Sequence, residues 1–370
     1  MKIVHITTVH PRDDVRIRYK YILSLANTQG MDTTLVVADG LGPETFTNYK
    51  IKDLGKPKYG RIGRFIIGNY KVFVFGVKGK YDLLHFHDPE LLPIAAFLSF
   101  IGKKVIFDMH ENLPLQILTK NYLPRFIRKI LSEIIGIFQR IVLKSMPVIY
   151  AEISYIKYFK YIIDYELVLN YPLKKTLTGI KEEKKKIFTV GYMGSVSKER
   201  GAIVILDAVR NLRKEGEKIE VLFVGGVDDE LLNLTKYKTA KEEGWADFKG
   251  RLEPMKGWAQ MAKCQIGLAV LQNSPNFMES YPTKLFEYML LKLPVITSNF
   301  PLYSSIIKES NCGILVDPSS ASELGEAIKK IKREVIESIQ MGENGRAIAV
   351  QKYNWETEFE KVLKFYNKLR

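Results

Sequence analysis

Ile266-Gly-Leu-Ala-Val-Leu271, then a polar loop through Asn276, then Glu279-Ser-Tyr-Pro-Thr-Lys-Leu-Phe-Glu287-Tyr288 is the stretch that decides the fold. The first run is short, apolar and β-prone, as a buried strand should be. Pro282 and Thr283 suit a helix start, and Leu285, Phe286, Met289 and Leu290 recur at helical spacing. Strand, loop and helix in that order are the repeating unit of a doubly wound α/β sheet. Free N–H groups and the positive dipole end of such a helix face whatever lies above the strand. Glu279 falls in the loop and Glu287 one turn into the helix, so both carboxylates can reach one ligand from two sides. Lys284 adds a cation beside the same helix end. Amides and a cation for phosphate, with carboxylates to accept from paired hydroxyls, suit a nucleotide sugar. The plainer reading of this spacing is an amphipathic helix with two solvated glutamates.

Upstream the alternation continues. Strands are expected at Ile3–Thr7, Thr34–Ala38, Leu83–His87, Val105–Asp108, Val148–Ala151 and Glu166–Leu169, with helical patterns such as Val15–Ala26 and Pro89–Phe100 between them. The second half repeats it with Phe188–Tyr192, Ile219–Val224, Ala246–Phe248, Ile266–Val270, Pro294–Thr297 and Gly313–Val316. Helices are expected at Gly201–Lys214 and Glu323–Ile331. A chain of 370 residues is long for one domain. The division expected is a first domain over 1–170, a linker over 171–186 whose Lys, Glu and Thr show no packing period, and a second domain over 187–354. A terminal helix over 355–370 follows, and packing back on the first domain is one arrangement for it. Two doubly wound domains in succession leave a cleft, where ligands commonly bind.

Polar groups collect at the expected strand ends. In the first half these are His10-Pro-Arg-Asp-Asp-Val-Arg16, His85-Phe-His87-Asp88-Pro-Glu90 and Asp108-Met-His110-Glu111. His10, Arg12, Asp13, His87 and Asp88 are the candidates for the acceptor side. Histidine with carboxylates could ligate a metal, but neither HExxH nor HxxEH spacing occurs and no metal is expected. In the second half Gly191-Tyr-Met-Gly194-Ser-Val-Ser-Lys198-Glu-Arg200-Gly201 leads from a strand into a helix. Its glycines allow close backbone approach, and Lys198 and Arg200 could hold a diphosphate. Gly225-Gly226 and Gly250-Arg251-Leu252 end two more strands. GxGxxG and GxxxxGK[ST] are lacking, so NAD and ATP lose support.

The formal net charge is +15, and Lys52 to Lys80 holds eight basic residues against one acid, Asp53. Nucleic acid, an anionic membrane and an anionic substrate all fit charge alone. From Tyr122 to Met146, Arg125, Arg128, Lys129, Arg140 and Lys144 interleave with Phe126, Ile127, Ile130, Leu131, Ile134, Ile135, Ile137, Phe138, Ile141 and Val142. A basic amphipathic helix of that width suits either a domain helix with a snorkelling rim or an anionic membrane surface. No interleaved aromatic and basic strand motif points to nucleic acid. Two distant cysteines, Cys264 and Cys312, fit a reducing cytoplasm. The start, Met1-Lys-Ile-Val-His-Ile, reads as a strand and not a signal peptide. The uncharged run Leu91–Gly102 is too short to span a bilayer and reads as a buried helix.

The chain resembles glycosyltransferase family 4, retaining nucleotide-sugar enzymes of the GT-B fold. The resemblance runs through His10-Pro-Arg, His87-Asp-Pro-Glu-Leu-Leu-Pro, Asp108-Met-His-Glu, Asn170-Tyr-Pro, Gly194 to Gly201, Glu279 to Met289, Leu293-Pro-Val-Ile-Thr-Ser298 and Cys312-Gly-Ile-Leu-Val-Asp317. Glu279-x7-Glu287 matches the family's EX7E motif. The resemblance implies Glu287 on the donor ribose, Glu279 on the donor sugar, and amides near Pro282 and Thr283 on sugar and phosphates. It implies Arg200 on the diphosphate and His110 near the reacting carbon. It also implies no essential metal and no cofactor beyond a nucleotide-diphosphate sugar as co-substrate. In the mechanism proposed for the family, the leaving phosphate oxygen takes the acceptor proton. Ser195 stands where many members have Arg, so Lys198 or Lys284 would supply that contact. His10-Pro-Arg-Asp-Asp replaces the usual glycine-rich first loop. A glycan or lipid-linked acceptor at an anionic membrane surface is expected, in surface-polysaccharide assembly. Two rivals are a sugar-nucleotide epimerase or hydrolase of the same fold, using Asp13, Asp14 or Asp88, and a basic nucleic-acid-binding protein.

Overall fold

The computed structural model describes residues 1–58, 60–118, 123–181 and 183–370. It comprises two compact units, Met1–Asn170 with Glu358–Arg370, and Tyr171–Thr357. Tyr59, inside the expected basic run, Tyr122, at the start of the expected amphipathic helix, and Glu182, in the expected linker, lie outside the described residues.

The strands of the first unit are β1 (Lys2–Ile6), β2 (Asp32–Val37), β3 (Glu44–Thr45), β4 (Tyr49–Asp53), β5 (Leu83–Phe86), β6 (Val105–Met109), β7 (Val148–Tyr150) and β8 (Tyr165–Leu167). They form one sheet in the order β3-β4-β2-β1-β5-β6-β7-β8. Every pairing is parallel except β3 with β4. Val4, Ile6, Leu84, Phe86, Phe107 and Val148 fill a core on one face of that sheet, because central strands are buried on both sides. β4 was not expected from sequence: Tyr49 and Ile51 point inward while Lys50 points out, so its apolar content is only half that of a central strand.

The second unit holds β9 (Phe188–Met193), β10 (Ile219–Val224), β11 (Ala246–Phe248), β12 (Ile266–Ala269), β13 (Val295–Ser298) and β14 (Gly313–Val316). Their order is β11-β10-β9-β12-β13-β14, all parallel. All carboxyl ends therefore lie on one edge, which is where a sheet of this kind binds ligands.

The structure departs from expectation at three further places. The stretch 171–186 belongs to the second unit, and Lys174–Thr178 within it is helical with Leu177 fully buried. Glu356 caps that turn by accepting from the N–H groups of Lys174 and Lys175, both at 2.9 Å. Trp355–Lys368 is a helix as expected, but it is divided: its first residues fall in the second unit and Glu358 onward in the first. Leu92–Phe100 is a helix with one face buried, while Phe97 and Phe100 on its other face are exposed.

Candidate functional site

In the second unit the site begins where β9 ends. Gly194 (φ +133°) donates its N–H to the Val224 carbonyl at 2.8 Å, and Gly225 donates to the Gly250 carbonyl at 2.8 Å, so three strand ends are stitched together. A Cβ on Gly225 (φ +151°) would overlap the Gly194 carbonyl oxygen, and one on Gly201 (φ +83°) would overlap that of Val270. Only glycine permits both approaches. Gly201 caps the helix Ala202–Lys214, and Gln272 donates its N–H to the Glu199 carbonyl at 2.9 Å, tying this loop to the one after β12.

The helix Thr283–Leu290 starts after Pro282, as expected. Leu285, Phe286, Met289 and Leu290 are fully buried, and Lys284, less predictably, is only 8% exposed. Its Nζ donates to the Tyr192 hydroxyl at 2.7 Å and lies 3.9 Å from that ring's centre. Burial pushes the Lys284 pKa well below that of a free lysine, the Arg200 charge pushes it further, and Glu287 opposes. Burial raises Tyr192 to about 12, against the pull of Arg200. Arg200 stacks over Phe277, 5.5 Å from its ring centre. Lys284, Arg200, Tyr192 and Glu287 are thus one electrostatic group at a helix N-terminus. Glu287 is partly buried, whereas Glu279, Lys198 and Arg251 are exposed and Leu252 is half-buried. Tyr192, Phe277 and Tyr288, whose hydroxyl accepts the Met193 N–H at 2.9 Å, had no role in the sequence reading. Their signal there is indistinguishable from that of core aromatics.

In the first unit Asp88 is fully buried and organises the loop after β1. It accepts from the Thr7 hydroxyl at 2.9 Å, the Val9 N–H at 3.1 Å, the Thr8 N–H and His10 Nδ1 at 2.9 Å. Burial would lower the His10 pKa, but the bond to Asp88 and the charges of Asp88, Asp14 and Glu111 raise it overall. The His110 ring stands edge-on to His10 at 5.0 Å, and burial pushes its pKa down to about 4. Asp108 binds Arg16 through two bonds, 2.9 Å to Nε and 2.8 Å to Nη2, which hold its carboxyl well below the usual range despite complete burial. Arg16 ends one of the quoted polar stretches but had no role in the sequence reading; one arginine among Arg12, Arg16 and Arg18 carried no mark.

Two candidates for the acceptor side are placed otherwise. Arg12 turns away to bind Asp39 through Nε and Nη2, both at 2.7 Å, together with Glu44 and the Gly42 carbonyl. It braces the loop after β2. His87 is fully buried beneath the loop, with Nε2 2.8 Å from His5 Nδ1. Both side chains are spent within the protein. Asp13 is exposed and His10 partly so.

With this geometry in hand, comparison with known proteins is informative. The family described as Glycosyl transferases group 1 matches residues 174–348. That stretch is a group 1 glycosyl transferase domain. The domain contains Gly194, Arg200, Gly225, Lys284 and both glutamates of the EX7E spacing, and it bears out the family resemblance read from them. Spore coat protein SA of Bacillus subtilis (strain 168) is 24% identical over 193 residues, 50% of each chain. Phosphatidyl-myo-inositol mannosyltransferase of Mycobacterium leprae (strain TN) is 24% identical over 180 residues, 48% of this chain and 46% of that one. The chain thus spans about half the length of the curated relatives it matches. Among solved structures, Anabaena HepE in complex with UDP-glucose aligns over 100% of both chains with a TM-score of 0.71 at 15% identity. A sucrose-phosphate synthase from Thermosynechococcus elongatus also scores 0.71 at 15% identity, over 100% of this chain and 98% of that one. The group 1 domain and the unit before it therefore have the GT-B fold, two Rossmann-like α/β units.

Proposed function

We propose that the protein is a retaining, metal-independent glycosyltransferase that moves a sugar from a nucleotide-diphosphate donor to a glycan or lipid-linked acceptor in surface-polysaccharide synthesis. The observation that carries this reading is the group formed by Lys284, Arg200, Tyr192 and Glu287 at the start of the helix Thr283–Leu290. In it Lys284, Arg200, Lys198 and the helix amides stabilise charge on the departing diphosphate, a term that commonly dominates catalysis. Glu287 holds the ribose hydroxyls and Glu279 the sugar, while Gly194, Gly225, Arg251, Leu252, Pro282 and Thr283 line the donor's path. His10 and Asp13 serve the acceptor, and buried Asp88 acts only by holding His10 and its loop in place. Support comes from the group 1 match and from the UDP-glucose bound to HepE.

Donor binding and turnover test it. Loss of a buried, charge-assisted hydrogen bond costs about 1.5–3 kcal/mol, so Glu287→Ala should weaken nucleotide affinity by about one to two decades. Glu279→Ala should lower turnover more than affinity, EDTA should leave the rate unchanged, and the product should keep the donor's anomeric configuration. Unchanged nucleotide affinity in a folded Glu287→Ala protein would overturn the donor site. A strict need for Mg²⁺ or Mn²⁺ would overturn the metal-independent step.

A further inference from the structure

Tyr192 sits near the end of β9, with its ring in the core of the second unit beside Val190, Val196 and Phe223. Phenylalanine would fill that space equally well. The hydroxyl is a cost to the core unless it is hydrogen-bonded. It donates to the Ser195 carbonyl at 2.9 Å and accepts from Lys284 Nζ at 2.7 Å. A hydroxyl has one hydrogen, so with that on the carbonyl its lone pairs are left for Nζ.

Lys284 comes from a different element, the first turn of the helix Thr283–Leu290. A lysine stem is long and flexible, and its tip ordinarily seeks water. Here the tip is held inside by the phenol oxygen and by the Tyr192 ring, whose centre is 3.9 Å from Nζ. Its place is specific. The atoms nearest the point where a side chain on Gly194 would begin are Nζ at 3.1 Å, the Tyr192 hydroxyl at 3.5 Å and Lys284 Cε at 3.6 Å. Any other residue there would press on Nζ, whereas glycine leaves it beneath open backbone in the loop after β9. Arg200, in the same loop, is near enough for its charge to act on both Tyr192 and Lys284. Lys198, the other lysine of the loop, is exposed.

We propose that Tyr192 is a positioning residue for the donor diphosphate: its hydroxyl, locked to the Ser195 carbonyl, seats Lys284 Nζ beside Gly194, so that Lys284 and not Lys198 is the lysine that meets the phosphates. This rests on the donor site proposed above. Without the hydroxyl, buried Nζ loses its acceptor and must either stay uncharged or swing out toward water. Either change takes the positive charge away from the place the diphosphate would occupy.

A double-mutant cycle tests it, with inorganic pyrophosphate and with UDP, GDP, ADP and dTDP as probes. Tyr192→Phe keeps the ring and removes the hydroxyl. Its affinity for pyrophosphate, and for whichever diphosphate the wild type binds, should fall about 10-fold, the scale of one charge-assisted hydrogen bond. In a Lys284→Met background the same change should alter affinity by less than about 2-fold, because the hydroxyl then has nothing to hold. A merely structural hydroxyl would cost the same in both backgrounds, and that additivity overturns the proposal. Unchanged affinity in Tyr192→Phe does so too. If Tyr192→Phe does not fold, a crystal structure of the wild type with pyrophosphate decides. Lys284 Nζ on a phosphate oxygen and still on the Tyr192 hydroxyl is the expected result, and phosphate held by Lys198 away from Lys284 is the overturning one. Full diphosphate affinity in Lys284→Met would leave the donor site standing and remove the role of Tyr192. A wild type that binds none of the probes would sink the donor site itself, and the proposal with it.

Discussion

Lys284 is held almost out of water, with one hydrogen bond to the Tyr192 hydroxyl, and Arg200 lies near enough to disfavour its charge. A lysine in that position gives up its proton easily and regains it when an anion arrives. A bound diphosphate would supply the missing negative charge and raise the pKa, so nucleotide binding should be accompanied by proton uptake. Calorimetry in buffers of different ionisation heat at mildly alkaline pH measures this directly. Net uptake that disappears in Lys284→Met is the expected outcome, and binding with no buffer dependence would show that Lys284 does not meet the phosphates. His10 is the opposite case: its bond to Asp88 raises its pKa, so residue type alone does not say which buried base stays neutral.

Among the elements, the helix Arg125–Leu143 presents the most unusual surface. Gln139 and Leu143 are buried, while Phe126, Ile130, Ile134, Ile137, Phe138 and Ile141 recur along one exposed face, with Ile141 70% and Phe126 66% exposed. Leu115 and Leu118 of the helix Leu113–Leu118 are also exposed, and Ser132 joins that helix by donating to the Pro114 carbonyl at 2.9 Å. A domain helix with a snorkelling rim would have buried this stripe. Such an apolar face beside exposed Arg125, Lys129, Arg140 and Lys144 fits an anionic bilayer, where each cation near the surface contributes about 1 kcal/mol. No helix among the described residues is long and apolar enough to cross a membrane. We propose, from the exposed apolar stripe and its flanking cations, that this face associates peripherally with an anionic membrane surface. In flotation the protein should rise with anionic but not neutral vesicles, and Arg125, Arg128 and Lys129 changed together to Glu should stop it. Wild type remaining at the bottom of a low-salt gradient would refute the membrane reading and leave the donor site untouched.

For the molecule as a whole, the histidine cluster sets a pH dependence. Burial lowers the pKa of His5, His85 and His110, so between their folded and unfolded values the unfolded chain binds more protons. Stability must then fall as pH drops below about 6.5, by up to about 1.4 kcal/mol per pH unit for each group. His10 acts in the opposite sense, above the unfolded value, because its folded pKa is raised. Asp88 and Asp108, both lowered, keep their contribution until far lower pH. The melting temperature should therefore decline steadily from pH 7 to pH 5, well before carboxylates protonate. A flat profile across that range would mean the histidines are not buried as neutral rings.

The amino-acid sequence by itself determined the alternation of apolar strands and amphipathic helices, and so the class of fold, because those periods are local. It also singled out Gly194, Arg200, Gly225, Lys284 and Glu287 as candidates, since loops after parallel strands must share one edge of a sheet. Tertiary structure alone decided which polar residues face outward. Arg12 is tied to Asp39 and His87 to His5, and nothing in His10-Pro-Arg or His87-Asp-Pro announces it. The helix in the expected linker exists because Leu177 finds a buried place and Glu356 a cap 182 residues from Lys174. Period and composition describe a residue's own neighbourhood. A buried charge or ring is fixed by partners that only the folded chain brings within about 3 Å, and one partner of the histidine cluster, Tyr366, comes from the last helix.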